Sequence, residues 1–274
     1  MWSGAEWDVL SRLAPARRRF VLAVIGLVAV VALVAVTAGV TNVVRGGQTT
    51  VDQSVTGPVL LVPGYGGSVS SLQSLAGRLR ITGRDVTVVD LPDRGQGDLG
   101  AQADALGSAV DAVLARTGAR AVDVVGYSAG GVVARLWATE HADAGQVRRL
   151  VMLGSPLHGT DIARLGTLVS GTCPLACQQL APGSAVLSRL DAEPLPAGTL
   201  ALSLWTASDE VVQPPTSSVE EDVPSPSVQS VCPSSTVDHG GLPTDRVTQR
   251  IVLEALGTGA IPAFGPDDCA RLSS

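Results

Sequence analysis

Residues Ala121-Val122-Asp123-Val124-Val125 run directly into Gly126-Tyr127-Ser128-Ala129-Gly130, which opens onto Gly131-Val132-Val133-Ala134-Arg135-Leu136. An apolar run of strand length, a Gly-x-Ser-x-Gly turn and a helix-like stretch in immediate succession leave few folds open. A turn this tight drives the neighbours of the serine into collision unless the flanking positions are glycine, and it holds the hydroxyl out at the end of a sheet. Ser128 therefore reads as a nucleophile. Three fixed positions in five recur by chance in many chains, so the weight of this reading rests on its setting.

The setting is an alternation of strands and helices. Pro58-Val59-Leu60-Leu61-Val62-Pro63 is a short continuous apolar run ending in Gly64-Tyr65-Gly66-Gly67, which suits a strand buried on both faces and a loop with unusual backbone angles. Asp85-Val86-Thr87-Val88-Val89-Asp90 has the same character, and between the two Leu72, Leu75, Leu79 and Ile81 recur at near-helical spacing. After Leu99, residues Ala103, Leu106, Val110, Val113 and Leu114 share one helical face before a stop at Gly118. Further strands are expected over Val147–Leu153 and Leu200–Trp205, a final helix over Val247–Leu256, and a Pro/Ser-rich loop over Gln213–Thr236. The class is α/β. Such alternation implies right-handed crossovers and a mostly parallel central sheet flanked by helices, with sites gathered at the carboxyl ends of the strands.

The N-terminus carries a different signal. Phe20 to Val40 holds no charge, about the length that crosses a bilayer core as helix. Arg12 and Arg17-Arg18-Arg19 precede it and only Arg45 follows closely, which keeps residues 1–19 cytoplasmic and places everything beyond the span outside. Residues 20–44 are expected to form a transmembrane signal anchor. A signal peptide cut near Val36-Thr37-Ala38 is the competing reading, although the apolar run is longer than the usual ~7–15 residues of such peptides. Residues 45–56 are small and polar and read as a linker, so the domain is expected over 57–274.

The net charge of −6, with nineteen basic residues and no lysine, leaves no basic footprint for nucleic acid. Four cysteines in an oxidising compartment favour disulfides. Of the three possible connectivities, Cys173 with Cys177 and Cys232 with Cys269 is favoured, the second tying the Pro/Ser-rich loop to the C-terminus. A zinc site is disfavoured because Cys-x-x-Cys pairs are missing, so no metal is expected.

A serine hydroxyl needs a base, usually a histidine held by a buried carboxylate. Three histidines are available. His141 lies roughly three turns along the helix after Ser128, too far to fold back, and reads as a surface residue. His158, in Leu157-His158-Gly159-Thr160, ends on the correct sheet edge and either lines the site or hydrogen-bonds within its own loop. His239 follows the last strand in Val237-Asp238-His239-Gly240-Gly241-Leu242-Pro243, whose glycines let a ring be presented, and it is the expected base. With this kind of elbow the acid falls between serine and histidine in chain order. Asp209, after the strand ending at Trp205, fits that slot, with Glu210, Asp238 and Asp161 as alternatives. Two backbone N–H groups must face the developing oxyanion, and they are expected from Ala129 and from Tyr65.

Together Val62–Gly67, Val122–Gly131, Leu153–Thr160, Asp209-Glu210-Val211-Val212 and His239–Pro243 resemble the α/β-hydrolase lipases, within them the bacterial extracellular triacylglycerol lipases of lipase class 2. The resemblance covers nearly everything after residue 57. It implies an α/β-hydrolase fold, an ester-hydrolysing triad of Ser128, Asp209 and His239, and no cofactor. Two positions depart from the family pattern: Pro63 stands where a histidine often precedes the oxyanion glycine, and Tyr127 stands where a histidine often flanks the serine. Neither removes a catalytic atom, and both can alter acyl selectivity.

The stretch 160–198 lies where a cap would sit, and Ile162, Leu165, Leu168 and Val169 make an apolar stripe at helical spacing. Either it is a lid meeting lipid or a helix packed on the sheet. The expected function is hydrolysis of carboxylic esters, of acylglycerols or other lipids, by a membrane-anchored or secreted enzyme. A cell-envelope acyltransferase using the same acyl-enzyme and a non-catalytic binding protein on the same fold are the alternatives.

Overall fold

The structure, a computed structural model, describes residue 30 and residues 51–274 apart from 68, 144 and 164–172. Five strands form one sheet: β1 (Val59–Val62), β2 (Val86–Val88), β3 (Val122–Tyr127), β4 (Val147–Leu153) and β5 (Leu200–Leu204). Their order is β2-β1-β3-β4-β5, and every neighbouring pair is parallel. All five expected strands are present. β1, β3, β4 and β5 are buried almost throughout because parallel strands with helices on both faces have no side left for water, while the edge strand β2 is half-buried.

The helices are α1 (Gln73–Ile81), α2 (Leu99–Thr117), α3 (Ala129–Glu140), α4 (Leu175–Gln179), α5 (Ala185–Ala192), α6 (Val228–Val231), α7 (Arg246–Ala255) and α8 (Cys269–Ser273). Local chemistry sets their ends. Asp98 caps α2 by accepting from Ala101 N at 2.9 Å, and Gly118 ends it in the left-handed conformation. Asp245 caps α7 in the same way through Thr248 N at 2.8 Å.

Strand order decides which face each helix covers. From β1 the chain moves one way to β2 and then returns past β1 to β3, β4 and β5. With right-handed crossovers a reversal of direction moves the connecting helix to the opposite face. Leu75, Ala76 and Leu79 of α1 accordingly pack with Val59, Leu61 and Val125, while Leu106, Val110, Val133 and Leu136 of α2 and α3 pack with Leu60, Val62 and Val124. Alternate residues of the same strands thus serve two cores. The face of α1 would remain half open but for α7, whose Ile251 and Val252 join that core and whose Gln249 donates to Ser74 Oγ at 2.9 Å.

The sheet reverses between β1 and β3, and at such a switch point the loops after the two strands part and leave a crevice at their carboxyl ends. The Gly64–Gly67 turn follows β1 there, and Ser128 follows β3.

Of the stretch read as a linker over 45–56, residues 51–56 are described. The small polar residues there are not all solvated: the Gln53 amide donates to Arg148 O at 3.1 Å and Gly198 O at 3.0 Å, and Gln53 O accepts from Gly259 N at 3.1 Å. The loop expected over 213–236 contains a 3-10 turn, Pro215–Ser218, and α6. Its Glu220 is held by the buried Arg135 of α3 at 2.6 Å, and Arg135 also donates to Glu193 O at 3.0 Å. Most of the apolar stripe read as either a lid or a packed helix, Leu165, Leu168 and Val169, lies outside the described residues; Ile162 is exposed. The described remainder of the 160–198 segment is packed on the fold, with Ala176, Leu180, Val186, Leu187 and Leu190 in the same core as α2 and α3.

The cysteines pair as Cys173–Cys177 and Cys232–Cys269, with Cα separations of 5.5 and 4.9 Å. Among the described residues no helix is long and apolar enough to cross a membrane, and the span expected over 20–44 falls, but for Val30, outside them.

Candidate active site

The elbow has the geometry its composition requires. Ser128 stands at φ 54° and ψ −129°, a conformation that L-residues rarely adopt and that costs about 1–3 kcal/mol. The turn persists because packing over-determines it. A Cβ on Gly126 would overlap the Gly130 carbonyl and Gly131 Cα, and one on Gly130 would overlap the carbonyls of Val62 and Pro63. The glycines thus let β3, α3 and the end of β1 approach within backbone contact. Ser128 N donates to Leu153 O at 2.8 Å, tying the elbow to β4.

Three side chains from separate loops converge on this point. His239 Nε2 lies 3.0 Å from Ser128 Oγ, and His239 Nδ1 lies 2.7 Å from Asp209 Oδ2. The other oxygen of Asp209 accepts from Val211 N at 2.9 Å and Val212 N at 2.7 Å. These two amides orient the carboxylate. Asp209 and His239 are 4% and 5% exposed, so their contact is shielded from water. With Asp209 accepting at Nδ1, the neutral ring carries its proton there and presents the Nε2 lone pair to the serine hydroxyl.

The alternatives fall elsewhere. Glu210 accepts only weakly from His239 N, at 3.4 Å, and Asp238 accepts from Gly241 N at 2.8 Å within its own loop. Asp161 N donates to Gln213 O at 2.8 Å. His141 faces Asp104 of α2 at 3.2 Å, in keeping with its expected surface position. His158 bonds outside its own loop. Its ring bridges Asp191 Oδ1 and Val219 O, each at 2.9 Å, and so links the 160–198 segment to the 213–236 segment.

The two expected oxyanion donors belong to segments next to the serine. Ala129 N is the first amide of α3, one of the four at a helix start with no partner inside the helix, and the helix dipole adds to its pull on an anion. Tyr65 lies in the Gly64–Gly67 turn closed by Gly67 N to Gly64 O at 2.9 Å. A Cβ on Gly64 would come within 2.8 Å of Ser128 Cβ, so this turn runs directly alongside Ser128. The Tyr65 side chain is 43% exposed and not a packed aromatic.

Two further residues shape the site without having been legible as doing so. Gly154, at the end of β4, has φ 52°, and a Cβ there would lie 2.6 Å from Leu242 Cδ1, 3.3 Å from His239 Nδ1 and 3.4 Å from Asp209 Oδ2. It leaves room for the contact between Asp209 and His239. Gly154→Ala is expected to lower kcat by about 10- to 100-fold, because displacing the imidazole by even an ångström loses alignment, and to lower Tm as well. An unchanged kcat in steady-state assays would show that the pocket yields without moving the ring.

Tyr127 is the other. Its hydroxyl donates to His239 O at 3.1 Å, and its ring centroid lies 5.2 Å from that of the imidazole. Burial, followed by the charges of Asp209, Glu210 and Asp238, pushes the Tyr127 phenol up to about 12, so it stays a donor at neutral pH. The signal in the sequence was its place beside the serine; the distance to residue 239 was not in the sequence.

Comparison with known proteins bears on the fold. A family model described as alpha/beta hydrolase fold matches residues 57–168, from before β1 to beyond β4. No curated protein matches the chain by sequence. Among solved structures the chain is similar to Bacillus licheniformis lipase BlEst2 in its mature form, at 18% identity and a TM-score of 0.62 over 76% of this chain and 95% of that one. It is also similar to lipase B of Aspergillus fumigatus, at 19% identity and a TM-score of 0.62 over 81% of this chain and 57% of the fungal one. The strand order alone is shared with other doubly wound sheets; the elbow at the end of β3, the matched sequence and the superposed structures together establish that the chain has an α/β-hydrolase fold.

Proposed function

We propose that the protein is a serine hydrolase of carboxylic esters, acting on acylglycerols or other lipid esters through an acyl-enzyme. The observation that carries this reading is the connected path Asp209 Oδ2, His239 Nδ1, His239 Nε2, Ser128 Oγ, with contacts of 2.7 and 3.0 Å on a strained elbow. Ser128 Oγ attacks the ester carbonyl while His239 Nε2 takes its proton, and Asp209 stabilises the imidazolium that forms. The Tyr65 and Ala129 amides receive the negative charge on the carbonyl oxygen, each donor contributing on the order of 3 kcal/mol to the transition state. His239 returns the proton to the leaving alcohol, then removes one from water as it attacks the acyl-enzyme. Nothing in this sequence of steps calls for a cofactor.

The preference for lipid esters is supported by the fold likeness to two lipases and by the resemblance of the motifs to bacterial extracellular lipases of class 2. Two disulfides support a catalytic domain outside the cytoplasm, either held at the membrane by 20–44 or released by cleavage. A fluorophosphonate probe is expected to label the wild type at Ser128, as located by peptide mass spectrometry, and to leave Ser128→Ala unlabelled. Labelling at another serine, or none in folded protein, would overturn the reading. Esters of increasing acyl length, assayed below and above their solubility limit, distinguish a lipase from an esterase of short soluble substrates.

A further inference from the structure

We propose that Tyr127 is a positioning residue for the base: its hydroxyl anchors the backbone of the His239 loop at residue 239 itself, and its ring packs against the imidazole, holding Nε2 on Ser128. The inference rests on the triad reading given above. Its observations are separate from the triad contacts. Tyr127 is the last residue of β3, so its backbone is fixed by the sheet, while His239 stands on an irregular loop of turns that follows a Pro/Ser-rich stretch. A bond from the Tyr127 hydroxyl to His239 O, across 112 residues of chain, ties that loop to the same strand end that carries the nucleophile. The ring contact, with centroids 5.2 Å apart and planes tilted by 32°, limits rotation of the imidazole on its Tyr127 side. Asp209 fixes the ring from its Nδ1 edge. The two constraints act on one object from different directions, and neither by itself determines the distance from Nε2 to Oγ.

Substrate binding does not depend on this anchor, because the hydroxyl is directed at a backbone carbonyl. Losing it therefore acts on kcat and not on KM. Tyr127→Phe retains the ring and removes only the hydroxyl. It is expected to lower kcat for a soluble p-nitrophenyl ester by about tenfold with KM within about twofold of wild type, the size of effect that one misdirected hydrogen bond produces. The rate of fluorophosphonate labelling should fall in the same proportion, since that step also needs an aligned base. The decisive measurement is a double-mutant cycle with Asp209→Asn. If both residues act by orienting His239, their losses combine to clearly less than the product of the single effects.

A purely structural role gives a different pattern: a fall in Tm and in the folded fraction, wild-type kcat per labelled site, and multiplicative losses with Asp209→Asn. Any of a wild-type kcat in Tyr127→Phe, a loss confined to KM, or a multiplicative cycle overturns the proposal. Ser128→Ala, assayed alongside, separates the two layers. If it retains activity the triad reading itself fails; if it is inactive while Tyr127→Phe is unaffected, only the role of Tyr127 fails.

Discussion

Ser128→Ala is expected to lower kcat for a soluble ester by about 10⁴- to 10⁶-fold without unfolding the protein. The Oγ atom is the only group within 3.0 Å of His239 Nε2 that can give up a proton and form the acyl bond among the described contacts of that nitrogen. Residual rate then comes from the oxyanion amides and from substrate binding, which hold the ester in place for direct attack by water. His239→Ala should be of similar size, and the double variant no worse than either single one, because the two groups perform one proton transfer. Steady-state kinetics with circular dichroism of each variant checks this. A double variant much slower than both would mean that serine and histidine act in separate steps, and the proposed mechanism would have to be abandoned.

Asp123→Asn is expected to destabilise the domain by about 3–5 kcal/mol, the cost of leaving buried cations without their counter-charge. Asp123 is fully buried at the start of β3, at the end of the sheet opposite the elbow. Its Oδ2 is shared by Arg84 and by Arg148 Nη2, the latter at 2.5 Å. Arg148 also donates to Gly257 O and Leu256 O, each at 2.8 Å, and Arg149 donates to the carbonyls of Ala255 and Gly259. These carbonyls lie at and just beyond the C-terminus of α7, where a helix carries partial negative charge and its last carbonyls need donors. The cluster thus seats α7 on the sheet.

Arg148 Nε and Arg149 Nε have no hydrogen-bond partner among the described residues, so the cluster already holds more donors than acceptors, and an amide in place of the carboxylate adds further donors. For a domain of this size the change corresponds to a fall in Tm on the order of 10 °C. Calorimetry checks it, and kcat per folded molecule should stay at the wild-type value, since the cluster lies at the other end of the strands. A Tm within a degree or two of wild type would mean that water replaces the carboxylate.

The arginines show where the sequence stopped being readable. Val147–Leu153 was legible as a buried strand, yet Arg148 and Arg149 within it gave no hint of how two guanidiniums are buried there. The answer depends on the end of a helix about 110 residues later in the chain. The contacts of residues 51–56 and of the loop over 213–236 were hidden for the same reason. Small polar and Pro/Ser-rich composition describes what a segment cannot do by itself, and the partners of Gln53 and Glu220 are supplied by residues far away in sequence.

What the sequence determined by itself was everything governed by short-range periodicity and turn chemistry. Apolar runs of strand length between helical repeats dictated a parallel sheet covered on both faces, glycines at 126 and 130 dictated the elbow, and chain order nominated Ser128, Asp209 and His239. Tertiary structure decided which nominated groups meet. Asp209 and Glu210 are neighbours, and only the direction in which the chain leaves β5 sends one carboxylate to His239 Nδ1 and the other to the margin. The space left by Gly154 and the anchor from Tyr127 to residue 239 likewise exist only once β3, β4 and the last loop are side by side. Local propensity fixes what each segment becomes. The hydrogen bonds that make a site join segments 30 to 112 residues apart, and their lengths are set by how the sheet and its two cores pack.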